Sequence, residues 1–361
     1  MRKFTSAALA VILGAAILTS GNPASAAVST VSGEGSSFAG GIINACKVAF
    51  NSASATTNTQ QVTINYTNSS SGTGRSSFAS QTTYQFGATD VPFGTTPAAP
   101  ANTVYVPLTS GPIAIVYTLP GVGSGLRLDA ATVSKIFKGT ITRWDDTQIE
   151  KLNPTKVMPS RDINVFYRQG DSGTSQNLVN WLKGNGVSGW TLSGTWATAT
   201  GQTTPRGTSA NGSSALATVV ENTAYSIGYV DLKDAVSHTL EYAAVKNGKG
   251  QYMLPTVSNT GKFMARQSVS SNGVVSFKYK TFAVSGEYNV VAVTYGLGFK
   301  TKASYSSVAA DASKTAKALR DFYKYTIGTC GSAQAGALKY NALTGSLKTK
   351  ALAQAALIGT K

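Results

Sequence analysis

Three clusters rich in serine, threonine and glycine each stand where a strand-like segment gives way to a helical pattern. They span residues 33–38, 69–74 and 168–175. Unpaired N–H groups at a helix start, small residues that permit close approach, and hydroxyl donors together form a site for an anion. A single cluster of this kind is more typical of an ordinary N-cap and turn. Three such clusters in one chain favour the binding of a dehydrated oxyanion.

Two charged residues accompany these clusters. Arg168 opens the third cluster and can donate paired hydrogen bonds to a tetrahedral oxyanion, with a plain surface charge as the alternative. Asp90, in the segment 86–92, either caps a turn or lies in the anion pocket. In the pocket, a carboxylate repels a fully deprotonated ligand and accepts a hydrogen bond from one that keeps a proton. Near neutral pH phosphate keeps a proton and sulfate does not, so Asp90 would favour phosphate.

A hydrolase is the rival interpretation, because residues 170–173 read GDSG, the sequence around the nucleophile of chymotrypsin-like proteases. That mechanism needs a histidine base that precedes the serine in the chain. The only histidine, His238, follows it instead. One histidine and two cysteines also exclude zinc fingers and iron–sulfur clusters. We therefore expect no catalytic residue, no bound metal and no cofactor.

Apolar, β-branched runs alternate along the chain with helical patterns, and Asp129 and Gly139 are placed to cap the two ends of one helix. The strand-like runs span residues 62–66, 84–88, 113–118, 163–167, 227–230 and 290–295, and the other helical patterns span 42–50, 175–183 and 309–325. This alternation predicts α/β layers with mostly parallel sheets. Residues 184–214 and 246–287 are predicted to be long surface excursions.

The amino terminus has the pattern of an export signal. Arg2 and Lys3 precede an apolar run over residues 7–18, and residues 24–26 read Ala-Ser-Ala. A basic start, a short apolar run and such a cleavage site predict a signal peptide at residues 1–26. The run is too short to span a bilayer, and no cysteine lies at the cleavage site to carry a lipid. We expect a periplasmic or secreted protein without stable membrane insertion.

The chain has only two cysteines, Cys46 and Cys330. In an oxidising compartment they predict one disulfide, with two buried free thiols as the alternative. The chain has 361 residues, of which 42% are hydrophobic, so it can form about two domains with real cores.

The chain is strongly basic, with 31 Lys and Arg residues against 15 Asp and Glu residues and a formal net charge of +16. Without Arg2 and Lys3 the difference is 29 − 15 = +14. The basic residues are scattered and never form a run of five, and an exported protein does not meet DNA or RNA. We therefore expect no nucleic-acid partner, and attraction of small anions or of an acidic cell surface instead.

The order of the motifs resembles the phosphate-binding proteins of bacterial phosphate ABC transporters, the PstS family. The resemblance is carried by GEGSSF at 33–38, INY at 64–66, SGTG at 71–74, FGATD at 86–90, KGTITRWDD at 138–146, LNP at 152–154, RQGDSGTS at 168–175 and IGYV at 227–230. The chain departs from the family pattern after Arg168, because the family aspartate is Gly170 here and Asp171 follows one place later. The segment 70–73 is also altered.

The resemblance implies a type-II periplasmic-binding-protein fold, in which two α/β domains are joined by two hinge strands and the ligand lies in the cleft. One discontinuous domain would combine residues 27–108 with 288–361, and the other would be residues 109–287. Both cysteines would then lie in the same domain. The resemblance further implies that phosphate is held by Ser37, the backbone N–H of Phe38, Ser71, Asp90, Arg168, Ser172, Gly173 and Thr174.

The function that the resemblance implies is that of a receptor, not an enzyme. We expect a monomer that binds inorganic phosphate and delivers it to an ABC transporter permease in the membrane. The alternatives are a binder of another oxyanion such as sulfate or molybdate, a secreted phosphatase on the same scaffold, and an adhesive or scavenging role suggested by the positive charge.

Overall fold

A computed structural model describes residues 29–95, 97–280 and 283–361 of the chain. The predicted signal peptide at residues 1–26 lies outside the described residues. Within them, no helix has both the length and the apolar character needed to cross a membrane.

The β-strands alternate with helices over most of the described chain. They are β1 Thr30–Gly35, β2 Thr63–Asn68, β3 Phe86–Thr89, β4 Thr103–Thr118, β5 Arg127–Leu128, β6 Asn164–Arg168, β7 Thr208–Ala210, β8 Ser226–Asp231, β9 Glu241–Tyr242, β10 Ala244–Lys246, β11 Tyr252–Met253, β12 Ser268–Val269, β13 Val275–Ser276 and β14 Val291–Phe299.

The helices cover the faces of the sheet. They are α1 Gly40–Asn51, α2 Ser71–Ser80, α3 Ala130–Lys138, α4 Thr147–Leu152, α5 Gly173–Gly184, α6 Trp196–Thr200, α7 Ser213–Glu221, α8 Leu232–Ser237, α9 Val257–Met264, α10 Ala312–Tyr325, α11 Gly331–Gln334 and α12 Gly345–Ala356, with a 3-10 turn at Lys302–Tyr305 and a π turn at Thr326–Cys330. The predicted excursions at 184–214 and 246–287 thus contain short elements of their own.

The main sheet runs in the order β2-β1-β3-β14-β4-β8-β6-β7, with β9 beside β4. Its ends are parallel, because β1 pairs in parallel with β2 and β3, and β6 pairs in parallel with β7 and β8. Its centre is antiparallel, because β14 pairs with β3 and β4, and β4 pairs with β8 and β9, in opposite directions. The prediction of mostly parallel sheets is therefore wrong. Two long strands that run in opposite directions occupy the centre.

The long strand β4 divides the sheet into two halves. Its residues up to Pro112 pair with β14, whereas its residues from Ile113 onward pair with β8. The chain returns beside it, since the N–H of Ile113 donates to the carbonyl of Val290 at 2.8 Å. We call residues 29–112 and 291–361 the first half, and residues 113–290 the second half. Both crossings lie near the ends of the predicted domains, at residues 108–109 and 287–288, and the domain bounds themselves stay a prediction.

Local sequence signals explain several of these elements. Every residue of β14 is buried, as expected for an apolar strand that is covered on both faces. At the start of α3, the carboxylate of Asp129 accepts a hydrogen bond from the N–H of Thr132 at 2.8 Å. The helix ends at Gly139, whose φ of +78° suits glycine. Both caps agree with the prediction.

The two cysteines form the disulfide that the sequence predicts. Cys46 in α1 is bonded to Cys330 at the end of the π turn, across a sequence separation of 284 residues. Both residues belong to the first half. The bond joins the beginning of the described chain to its end, outside the second half.

Candidate functional site

Four helices begin at the junction between the two halves, where the carboxyl ends of β1 and β2 face those of β6 and β7. In each case a short turn that contains serine, glycine or both separates strand from helix: β1 from α1, β2 from α2, β6 from α5, and β7 from α7. Ligands of open α/β sheets bind outside the carboxyl ends of the strands. A cavity of about 1000 Å³ opens there between the two halves, and Ser37, Gly72 and Asp171 contribute to its wall.

Asp90 follows β3 and lies in a cage of hydroxyl groups. Its Oδ1 accepts hydrogen bonds from Ser36 Oγ at 2.5 Å and from Thr294 Oγ1 at 2.6 Å. Its Oδ2 accepts one from Ser71 Oγ at 3.0 Å. Burial raises the pKa of the Asp90 carboxyl above its ordinary value of 3.8, against the opposing effects of the three hydroxyls and of Arg168. The carboxylate of Asp90 is therefore a hydrogen-bond acceptor that is largely shielded from water.

Arg168, the last residue of β6, is only 2% exposed. Its Nη1 donates to Ser213 Oγ at 3.1 Å and, more weakly, to Thr174 Oγ1 at 3.4 Å. Its Nε has no hydrogen-bond partner among the described residues. The guanidinium forms no salt bridge within the described part of the chain, and burial lowers the pKa of Arg168 below its ordinary value. A buried cation with a spare donor and with hydroxyls as its side-chain hydrogen-bond partners favours an anion beside it.

The loop that starts α5 carries Ser172, Gly173 and Thr174. Ser172 caps the helix, since its Oγ accepts from the N–H of Ser175 at 3.3 Å. Gly173 packs directly against the first half: a Cβ added there would lie 2.2 Å from Ser71 Oγ and 2.8 Å from the Cβ of Asp90. The start of α5 in the second half therefore meets the start of α2 in the first.

Ser37 and Phe38 precede α1 on the other side of Asp90. The Oγ of Ser37 is buried and has no hydrogen-bond partner in the described chain. Phe38 is fully buried, and its carbonyl accepts from the hydroxyl of Tyr340 at 2.8 Å. The neighbouring Ser36 bonds Asp90, so this turn belongs to the same site.

The structure brings all the predicted ligand residues to the junction between the two halves. Direct contacts connect Ser71 with Asp90, Gly173 with Ser71, and Thr174 with Arg168. Asp90 and Arg168 influence each other's pKa without forming an ion pair among the described residues.

Three residues of the site escaped the sequence prediction of ligands. Ser213 follows β7 in the segment Asn211-Gly212-Ser213-Ser214, so it repeats the pattern of the three clusters and could have been found by the same rule. Ser36 lies inside the first cluster, but its sequence gave no reason to choose it over Ser37. Thr294 lies in the middle of a buried strand, where a hydroxyl gives no local signal.

The fold and the site define an α/β protein of two halves with an anion-suited cleft between them. A family model described as a PBP superfamily domain matches residues 20–329. The chain therefore belongs to the PBP superfamily.

The chain is also similar to several curated proteins and solved structures. It is 31% identical over 246 residues to phosphate-binding protein PstS3 of Mycobacterium bovis, a match that spans 64% of this chain and 64% of the relative's length. It is 28% identical over 316 residues to phosphate-binding protein PstS of Xylella fastidiosa, spanning 86% of this chain and 80% of the relative. Its fold matches that of PfluDING, a periplasmic phosphate-binding protein solved with phosphate, with a TM-score of 0.70, 18% identity, and coverage of 90% and 93% of the two chains. The PstS resemblance and the predicted fold class are confirmed.

Proposed function

We propose that this protein is an extracytoplasmic receptor that binds inorganic phosphate between its two halves and delivers it to an ABC import permease. The similarity to proteins named as phosphate-binding supports this function. The proposed ligands are Ser37, the N–H of Phe38, Ser71, Asp90, Arg168, Ser172, Gly173 and Thr174.

The observation that carries the proposal is the pair of buried charges that do not neutralise each other. Arg168 offers a spare donor at Nε, and the carboxylate of Asp90 is an acceptor surrounded by hydroxyls. An anion that keeps one proton satisfies both, because its oxygens accept from Arg168 and its hydroxyl donates to Asp90. Each charge-assisted hydrogen bond contributes about 1.5–3 kcal/mol, so several suffice for tight binding after the ordering costs.

Equilibrium binding tests the proposal. The purified protein is first freed of bound anion, which is identified by phosphorus analysis, and then titrated with phosphate by calorimetry at pH 7. We expect a 1:1 complex that sulfate or molybdate at equal concentration does not displace. Competition by sulfate would instead favour a receptor for another oxyanion.

Replacement of Asp90 by Asn tests the same discrimination from the protein side. The amide removes the negative charge that repels a fully deprotonated anion, so sulfate should gain affinity relative to phosphate by about tenfold, the ratio that corresponds to 1.4 kcal/mol. An unchanged ratio would contradict the role proposed for this carboxylate.

A secreted phosphatase is the second candidate, and one contact bears on it. The Nδ1 of His238 lies 2.8 Å from Glu221 Oε2, and its Nε2 lies 3.4 Å from Ser214 Oγ. Glu221, His238 and Ser214 are thus connected in the same order as the acid, base and nucleophile of a histidine-activated serine. Ser214 is exposed, however, and it is the neighbouring Ser213 that bonds Arg168. Turnover of p-nitrophenyl phosphate that is lost in Ser214→Ala would support the phosphatase. We expect no turnover, as for a receptor.

The proposed location is the periplasm or the medium, reached by cleavage after Ala26. Amino-terminal sequencing of the exported protein and fractionation of the cells test this directly. Delivery to the permease predicts that phosphate uptake by the cells requires the permease. An adhesive or scavenging role predicts instead that the protein stays bound to cells that lack the permease.

A further inference from the structure

An ion pair joins the two halves beside the proposed phosphate site. Arg75 lies in α2 of the first half and is 6% exposed. Its Nη2 lies 2.5 Å from Oδ2 of Asp171, in the turn between β6 and α5 of the second half. Its Nη1 donates to Thr89 Oγ1 at 2.9 Å, within the first half. Arg75 is thus anchored on one side of the cleft and bonded to a carboxylate on the other.

The backbone of Asp171 is bound across the cleft as well. Its carbonyl accepts a hydrogen bond from the N–H of Gly72 at 2.9 Å. Two glycines make room for it: a Cβ on Gly72 would lie 2.4 Å from the Cβ of Asp171, and a Cβ on Gly194 would lie 2.1 Å from its Oδ1. Asp171 is therefore fitted between α2 of the first half and the Gly194 turn of the second.

Asp171 directly precedes Ser172, Gly173 and Thr174, so its position fixes the position of that loop. The carboxylate of Asp171 is bonded to Arg75 and not to Arg168, and Arg168 bonds hydroxyls. We propose that Arg75 and Asp171 are positioning residues that form a latch across the cleft. The latch holds the α5 loop against the first half and slows the release of bound phosphate. This inference rests on the proposed function.

The latch should act on release more than on capture. Gly173 packs directly on Ser71 and Asp90, so release of an anion from this buried site requires the halves to separate, which breaks the ion pair. Opening must break it, so it stabilises the closed complex and contributes to the dissociation rate. The Asp171 side chain is 41% exposed, which reduces its contribution through solvent screening. We expect phosphate to leave about three- to tenfold faster when the pair is removed.

Stopped-flow kinetics on Asp171→Asn, Arg75→Met and the double variant test the latch. Asp171→Asn keeps the size of the side chain and the carbonyl that binds Gly72. We expect each single variant to release phosphate faster without a lower association rate, and the double variant to be no faster than the singles. Added salt should speed release from the natural protein but not from Asp171→Asn. Additive effects, or unchanged release rates, would overturn the latch.

The matched control is Asp145→Asn, which removes an exposed ion pair with Arg143 (3.0 Å) away from the cleft. It should leave phosphate release and its salt dependence unchanged.

A second measurement needs no phosphate, and it separates the latch from the proposed function. Dyes on Val48→Cys and Val157→Cys, two exposed positions in opposite halves, report the distance between the halves by energy transfer. The latch predicts that Asp171→Asn populates a longer distance than the natural chain in phosphate-free buffer. Equal distances would overturn it. If the natural protein fails to bind phosphate but the distances differ, the proposed function fails while the latch stands.

Discussion

At the scale of single residues, the site depends on two buried charges that are held apart. Asp90 is surrounded by three hydroxyl donors and Arg168 by two hydroxyl acceptors. Burial raises the pKa of Asp90 and lowers that of Arg168, so in both cases loss of water disfavours the charged form. A neutral hydroxyl compensates a charge only in part. The ligand-free site is therefore less stable than its hydrogen-bond count suggests.

The raised pKa of Asp90 makes the stability of the folded protein depend on pH. Between its ordinary value of 3.8 and its raised value in the fold, the folded state binds more protons than the unfolded state. Stability without ligand should therefore fall as pH rises through that window, and ionised Asp90 should reduce stability at neutral pH. Denaturant unfolding of Asp90→Asn without phosphate should show a flatter profile from pH 4 to pH 7 than the natural protein. Parallel profiles would contradict this assignment.

Ser213 offers a second test at this scale, because it holds the guanidinium of Arg168 at 3.1 Å. Ser213→Ala removes one hydrogen bond to a charged group, about 1.5 kcal/mol, and should weaken phosphate binding about tenfold by calorimetry. The matched control is Ser214→Ala, which changes the next and exposed residue. Equal effects of the two substitutions would mean that the first turn of α7 as a whole, and not Arg168, is responsible.

At the scale of elements, sequence reasoning succeeded where the signals are local. The caps of α3 and the turns before α1, α2 and α5 follow from residue types within a few positions. The antiparallel centre of the sheet did not follow, because the pairing of β14 with β3 and β4 joins residues that are distant in the chain. The same pairing carries Thr294 to Asp90, so that contact could not be read from the sequence. The position of Asp171 against Arg75 is equally non-local.

The contact between α5 and α2 predicts the effect of a single methyl group. In Gly173→Ala the new Cβ would lie 2.2 Å from Ser71 Oγ and 2.8 Å from the Cβ of Asp90, so the halves cannot approach as closely. Phosphate affinity should fall by at least about tenfold, while the halves themselves stay folded. In the presence of phosphate, small-angle scattering should give a larger radius of gyration for Gly173→Ala than for the natural protein.

The control is Gly336→Ala, where an added Cβ meets nothing within 4 Å. It should change neither affinity nor size. Full affinity in Gly173→Ala would mean that ligand binding does not require this contact.

At the scale of the whole molecule, the positive charge is unevenly distributed. Residues 300–361 hold 10 Lys and Arg residues against 2 Asp and Glu residues, a net charge of 10 − 2 = +8. Residues 29–110 hold 2 of each, a net charge of zero. Both segments belong to the first half, so its carboxyl-terminal part, and not the strands and turns that hold Asp90, carries the charge. Within the first half, long-range attraction of anions is therefore expected from residues 300–361 and not from the segment that holds Asp90.

The disulfide also acts on the whole molecule, since it closes a loop of 284 residues that contains the entire second half. Removing a link across so long a loop gives the unfolded chain more freedom, so Cys46→Ser with Cys330→Ser should lower the free energy of unfolding by about 2–4 kcal/mol. Neither cysteine is a proposed ligand, so the phosphate dissociation constant should stay the same. Denaturant unfolding and calorimetry on the natural and double-substituted proteins measure both quantities. Weaker binding with unchanged stability would show that the bond serves to position α1 and Ser37, and not to restrain the unfolded chain.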